Sequence, residues 1–210
     1  SDMAAGGLAA RRSTELDRSA AALGVHRVVR LPYADSGLHG DAVQQPGGAV
    51  PWCAAPLEEA ASAVADVLRE ESADVLVTYD ANGGYGHPDH IQVHEAGAIA
   101  ADLAGTPSLF EATAPRDLMA RAVRTAAKVY PFPPEFDPTS FDRAFTASAE
   151  ITHRVDVRRF LDAKRASMAA HASQATADDG PRTLSVFLKL PRPFYAKVFG
   201  TEYYVHRPRG

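Results

Sequence analysis

The sequence has very few residues of the kind that crosslink a chain or anchor it in a membrane. Cys53 is the single cysteine among 210 residues, which excludes an internal disulfide framework and fits a reducing compartment. Its position in a loop with proline and glycine nearby is more typical of a packing residue than of a nucleophile. No apolar run reaches the roughly 18 residues that a membrane span requires. We therefore predict a cytoplasmic protein without a membrane partner.

The chain also lacks an excess of charge of either sign. Its 22 basic and 26 acidic residues give a formal net charge of -4, so it has no basic footprint for nucleic acid. The length of 210 residues and the 46% hydrophobic content suffice for one well-packed core. We find no internal repeat and predict a single domain over residues 1–210.

The most informative stretch is residues 79–94. It follows residues 74–78, a short β-branched run that is typical of a buried strand. A cluster of four residues then favours a turn: Asn82, Gly83, Gly84 and Gly86. Pro88 suits the first turn of the alanine-rich helix predicted over residues 91–105. In open α/β sheets, ligands bind beyond the carboxyl ends of the strands, so we expect the chemistry here.

Two imidazoles and a carboxylate lie at the start of this helix. His87 and His90 are three residues apart and share a helical face, with Asp89 between them. Imidazole is a common zinc ligand and a natural acid–base group at neutral pH. Two histidines beside a proline are about as often plain surface residues. His94 adds a third imidazole, which we leave out because three ligands from one short helix rarely converge on one ion.

The rest of the chain alternates between strand and helix patterns, which predicts an α/β fold with a mostly parallel, helix-covered sheet. A long loop over residues 32–56 suggests a binding role, and the proline-dense residues 131–138 suggest a wall or lid. The predicted helices are 8–23, 56–71, 115–127, 157–172 and a proline-interrupted 184–199. The remaining predicted strands are 26–31, 108–112, 150–155 and, at an edge, 202–206.

Residues 79–90, read as Tyr-Asp-x-Asn-Gly-Gly-Tyr-Gly-His-Pro-Asp-His, resemble the second signature of the PIG-L/LmbE family of zinc-dependent N-deacetylases. That family includes mycothiol-pathway deacetylases and mycothiol-conjugate amidases. The Gly-Tyr-Gly form of the motif resembles that of the deacetylases slightly more than that of the amidases. Further likeness lies in residues 12–24, 35–37, 155–174 and 201–204, so it extends from about residue 8 to the end. The resemblance implies a Rossmann-like sheet with helices on both faces and a small N-acetyl sugar or amide substrate.

The resemblance also implies a role for each site residue. His90 would be a zinc ligand, and His87 would stabilise the oxyanion or protonate the leaving amine. Asp89 would orient an imidazole. Tyr85 would hydrogen-bond the tetrahedral intermediate, or simply pack over the cleft.

Two further residues are candidates for substrate contacts by the same resemblance. Arg12 would contact substrate, although an arginine on a solvated helix face is the commoner case. Asp35 would hydrogen-bond sugar hydroxyls, or equally close an Asx-turn.

The family's first signature, Ala-His-Pro-Asp-Asp-Glu, has no counterpart in these residues. The resemblance assigns to that block two of the three zinc ligands, the general base and the preceding first strand of the sheet. We expect that a chain without that strand is poorly stable, pairs with a second copy, or is only part of the working protein.

Three functions follow, in decreasing order of support. The first is a zinc-dependent hydrolase that removes an acetyl group from an N-acetylated amino sugar of the GlcNAc-inositol kind or from a related amide, provided that the missing block is present in the working protein. The second is a catalytically incomplete remnant that binds a sugar or a partner. The third is a nucleotide-binding protein in which the glycine loop binds phosphate. Against it, no Gly-x-Gly-x-x-Gly pattern opens the helix and no P-loop lysine is present.

Overall fold

The computed structural model describes residues 2–37, 48–128, 137–177, 180–181 and 183–208. It has the predicted α/β class. Its helices are α1 (Asp2–Leu23), α2 (Leu57–Glu70), α3 (Gly83–Gly86), α4 (Pro88–Ala104), α5 (Arg116–Ala126), α6 (Leu161–Ala170), α7 (Ala172–Ala175), α8 (Thr183–Leu188) and α9 (Arg192–Phe199). Short 3-10 helices span Trp52–Ala54, Pro138–Asp142 and Arg158–Phe160. The strands are β1 (Val75–Tyr79), β2 (Ser108–Thr113), β3 (His153–Asp156), β4 (Thr176–Ala177), β5 (Gly180–Pro181) and β6 (Thr201–Pro208).

The main sheet has four strands in the order β1-β2-β6-β3. β1 and β2 form the expected parallel pair, joined through α4, with Leu76 opposite Leu109 and Thr78 opposite Glu111. β6 is antiparallel to β2, so the sheet is mixed. β4 and β5 form a separate two-stranded ribbon.

The chain folds into two compact units. One contains residues 1–30 and 155–201, and the other contains residues 31–154 and 202–210. In the first unit, α1 packs against α6, and the Ser19 and Ser167 hydroxyls are 2.7 Å apart. Tyr195 is fully buried there, and its hydroxyl donates to the Met168 sulfur at 3.1 Å. The single domain remains a prediction.

The core of the second unit lies between α2 and α4 and is built from alanines. Ala60, Ala61 and Ala96 are completely buried, which lets the two helices approach closely. Gly97 lies against β1, where an added Cβ would clash with the Thr78 Cγ2. The small residues of α4 therefore set how near this helix lies to the sheet, and with it the start of the helix.

Three of our strand predictions need correction. Residues 26–31 form no strand, because a strand needs a neighbouring backbone and none pairs with this segment among the described residues. We placed the last strand at an edge, whereas β6 lies between β2 and β3. Among the described residues the edge strands of this sheet are β1 and β3. Val75 and Val77 on β1 are 51% and 53% exposed, so the prediction of a buried strand here is wrong.

Other predicted elements agree closely with the structure. Gly24 ends α1 and Gly105 ends α4 with positive φ angles of 71° and 72°, as C-terminal glycines do. Most of the predicted lid, residues 131–136, and residues 38–47 of the long loop lie outside the described residues. No helix in the described part of the chain is long and apolar enough to cross a bilayer.

Candidate active site

The candidate site begins where β1 ends. After Tyr79 the chain turns through the glycines of α3 and enters α4 at Pro88, as the sequence predicts. His87 is the N-cap residue of α4, with φ −70° and ψ 129°, and its Nδ1 accepts the backbone N–H of Asp89 at 3.1 Å. This strand–turn–helix arrangement brings His87 and His90 together at the helix start.

The two imidazoles hold their protons on different nitrogens, as assigned from their hydrogen-bond partners. The Nδ1 of His90 lies 3.2 Å from the Gly83 carbonyl, which can only accept, so this nitrogen carries the proton. The Nδ1 of His87 accepts an amide proton, so in the neutral ring its Nε2 carries the proton. The ring centroids are 4.7 Å apart. The site thus offers one lone pair, on His90 Nε2, and one donor, on His87 Nε2.

Two tyrosines enclose these imidazoles. Tyr79 stacks on His90 with ring centroids 3.8 Å apart, and Tyr85 meets His90 edge-on at 5.4 Å. Burial raises the pKa of Tyr85, and the negative charge of Asp35 adds to that rise. Burial also raises the pKa of Tyr79. Both phenols are therefore proton donors at neutral pH, and Tyr85, which is 55% exposed, can donate to a bound molecule.

The residues present fit one position of a metal site. Burial lowers the pKa of His90, opposed in part by its hydrogen bond to Gly83, and this lowering favours the neutral ring. A neutral imidazole with its other nitrogen tied to a carbonyl is the usual state of a ligating histidine. No group of three His, Cys, Asp or Glu side chains that could hold an ion occurs among the described residues. The described residues thus supply a single ligand and not a complete site.

Asp89 makes contacts different from those we expected. Its carboxylate accepts the backbone N–H of Ser36 at 3.1 Å and of Cys53 at 3.0 Å. No hydrogen bond joins this carboxylate to an imidazole among the described residues; the contact with His87 comes from the Asp89 backbone. The two amide donors lie beyond the bridge between Ala34 and Pro51. Asp89 therefore attaches both ends of the long loop to the start of α4.

Asp35 and Arg12 are the two residues that we predict to contact the substrate. Asp35 is exposed and accepts the Gly37 N–H at 2.8 Å, so the Asx-turn alternative is present in the structure. Arg12 is half-buried on α1, in the unit of residues 1–30 and 155–201. The substrate roles of both residues stay predictions.

Sequence reasoning missed Asp80, which is completely buried directly after β1. Its position after a strand that ends at the site was the signal that could have drawn attention to it. His94, which we left out, is half-buried one turn along α4, and its Nδ1 lies 3.3 Å from the Tyr79 carbonyl.

Comparison with known proteins identifies relatives over nearly the whole chain. A profile described as PIG-L, GlcNAc-PI de-N-acetylase, matches residues 1–101. A protein from Acidothermus cellulolyticus is 38% identical over 205 residues, which cover 92% of this chain and 66% of the relative. A protein from Thermobifida fusca is 40% identical over an alignment of 188 residues, which covers 80% of this chain and 63% of that relative. A protein from Thermomonospora curvata is 34% identical over an alignment of 222 residues, which covers 95% of this chain and 71% of that relative.

Each of these three relatives is named 1D-myo-inositol 2-acetamido-2-deoxy-alpha-D-glucopyranoside deacetylase. The chain spans about two thirds of their length.

Proposed function

The chain belongs to the PIG-L family, and from that membership we propose that it carries part of the active site of a zinc-dependent N-deacetylase. The proposed reaction removes the acetyl group from an N-acetylated amino sugar of the glucosaminyl-inositol kind, or from a related amide. The observation that carries the proposal is the His87–His90 pair with its complementary proton positions. The names of the relatives supply the substrate class.

In the proposed reaction, water adds to the acetamide carbonyl and the C–N bond then breaks. Bound zinc would supply Lewis-acid polarisation of that carbonyl. His90 would hold the metal through Nε2, and the other ligands would come from residues outside those described. His87 would stabilise the oxyanion through its Nε2–H or, as the imidazolium, protonate the departing amine, a contribution worth roughly 10²–10⁴-fold in rate. The proton that the attacking water loses would pass to a general base outside the described residues. The Tyr85 hydroxyl would donate to the oxygen that gains charge.

The test is release of free amine from an N-acetylglucosaminyl-inositol substrate. We expect release by the zinc-loaded protein and its loss when a chelator is added. Release that persists in excess chelator, or no release from protein with stoichiometric zinc, would contradict the proposal. His90→Gln should abolish release, whereas His94→Gln, one turn along the same helix, serves as the matched control.

A second candidate is a sugar-binding or partner-binding module that does not hydrolyse its ligand. It is favoured by one observation: the described residues contain a single ligand position where a catalytic zinc ion has three protein ligands. Metal analysis of the purified 210-residue chain separates the two functions. Stoichiometric zinc argues for the hydrolase, and sugar binding without zinc argues for the module. The cytoplasmic location and pairing of two copies remain predictions.

A further inference from the structure

Asp80 is a buried residue that accepts hydrogen bonds from the backbone amides of the glycine turn, residues 82–86. Its Oδ1 accepts the backbone N–H of Asn82 at 3.1 Å and of Gly84 at 2.9 Å. Its own carbonyl accepts the N–H of the residue between them, Gly83, at 2.9 Å. Three successive amides of the turn therefore point at one residue. A short polar side chain that accepts amides two and four residues on is an effective way to fix a turn.

The other oxygen of Asp80 is held by two hydroxyls from separate parts of the chain. Thr113, the last residue of β2, donates its hydroxyl to Oδ2, and so does Thr146 at 3.3 Å. The Thr113 hydroxyl in turn accepts the Thr146 backbone N–H at 3.1 Å. A fully buried carboxylate with both oxygens satisfied in this way has little freedom to move. Asp80 is therefore a rigid reference point for the turn.

Phe145 also makes two hydrogen bonds to the turn. Phe145 donates its N–H to the Gly84 carbonyl at 2.6 Å, and its own carbonyl accepts from the Asn82 side chain at 2.5 Å. Phe145 has a φ of +55°, a conformation that costs a non-glycine residue energy. Arg116 stabilises this conformation by donating to the Phe145 carbonyl at 3.0 Å.

The consequence of this arrangement is a defined position for the Gly83 carbonyl. Gly83 has a φ of +60° and packs so closely on α4 that a Cβ would be 2.9 Å from the Ile91 backbone nitrogen and 3.2 Å from the His90 Cβ. From there its carbonyl meets His90 Nδ1 at 3.2 Å. The proton on Nδ1, and the lone pair left on Nε2, therefore depend on where this turn lies.

We infer that Asp80 is a positioning residue for the His90 imidazole, acting through Gly83 to keep the proton of the neutral ring on Nδ1. The inference rests on the proposed function only for its relevance to catalysis, because the position of the proton on His90 does not require metal or substrate. Loss of Asp80 frees the amides of residues 82 and 84, and the carbonyl that selects the Nδ1–H form moves away. His90 then presents a mixture of its two neutral forms.

The test is nitrogen NMR of the histidine side chains in the metal-free 210-residue chain. We would record it near pH 8, above the ordinary histidine pKa of about 6.5, with His90→Gln to assign the signal. Wild-type protein should show the proton on Nδ1 of His90. Asp80→Ala should give a mixture of both neutral forms. Asp80→Asn keeps an oxygen for the two amides and should retain the wild-type form.

Two further variants separate positioning from general loss of stability. Thr146→Val removes a hydroxyl from Oδ2 but leaves the amide contacts, so it should lower the free energy of unfolding without moving the His90 proton. If Asp80→Ala does not fold, Asp80→Ser provides the comparison, since its shorter side chain cannot hold both amides. A His90 proton on Nε2 in wild-type protein would overturn the inference. So would an unchanged Nδ1 proton in a folded Asp80→Ala or Asp80→Ser variant.

The inference and the proposed function fail on different measurements. A protein that releases no amine but shows the Asp80-dependent proton position would contradict the deacetylase proposal alone. An active deacetylase whose His90 proton is indifferent to Asp80 would contradict the inference alone.

Discussion

The imidazoles of His87 and His90 lie with ring centroids 4.7 Å apart and carry their protons on opposite nitrogens. Each proton position is set by backbone geometry: an amide of the first turn of α4 for His87, and a carbonyl of the glycine turn for His90. Two identical side chains thereby acquire different chemistry, since one offers a lone pair and the other a proton. Sequence spacing alone could not distinguish these roles.

His87→Asn and His87→Ala should separate the two functions of this side chain. Asparagine accepts the Asp89 N–H as an N-cap but has no acidic proton, whereas alanine lacks both. We expect both variants to lose roughly 10²–10⁴-fold in kcat for amine release. The alanine variant alone should lose stability, by about 0.5–2 kcal/mol in urea unfolding. Full activity in His87→Asn would rule out proton donation by His87.

The sequence sufficed for the strand–turn–helix that carries the site, because glycines and a proline mark its limits directly. It did not suffice where a side chain bonds to distant residues. Asp89 contacts Ser36 and Cys53, which are 53 and 36 residues away, and no local pattern encodes such pairs. The same holds for Asp80, whose partners Thr113 and Thr146 come from separate segments. Pairing of strands is equally non-local, which is why the predicted position of β6 was wrong.

Gly97→Ala tests the close approach of α4 to the sheet. Alanine favours a helix over glycine by about 1 kcal/mol, but its Cβ would clash with Thr78. Overpacking of a buried site costs roughly 1–3 kcal/mol, so we expect a net loss in the free energy of unfolding. Gly7→Ala in α1 is the matched control, because nothing lies within 4 Å of its added Cβ. That change should be neutral or stabilising; a stabilising Gly97→Ala would refute the packing argument.

Ser173→Ala should reduce the acid resistance of the unit that contains α1. The Ser173 side chain and then its backbone N–H bond to Glu15 and lower the pKa of that carboxyl. A carboxyl with a lowered folded-state pKa contributes stability above its unfolded pKa of about 4.3, and this contribution is lost as the pH falls through the folded value. We expect the wild-type free energy of unfolding to rise with pH across that interval. Ser173→Ala should flatten this rise. An unchanged slope would show that the Ser173 side chain does not lower the pKa of Glu15.

Asp89→Ala distinguishes attachment of the long loop from orientation of an imidazole. If the carboxylate holds the loop, amide hydrogen exchange at Ser36 and Cys53 should accelerate, since each bond to a charged acceptor contributes roughly 1.5–3 kcal/mol. Because Asp35, which we predict to contact the substrate, lies on that loop, KM should rise more than kcat falls. Asp66→Ala, which removes an exposed carboxylate paired with Arg69, is the control and should change neither quantity. Unchanged exchange together with a loss confined to kcat would instead support the imidazole-orienting role that the family resemblance implies.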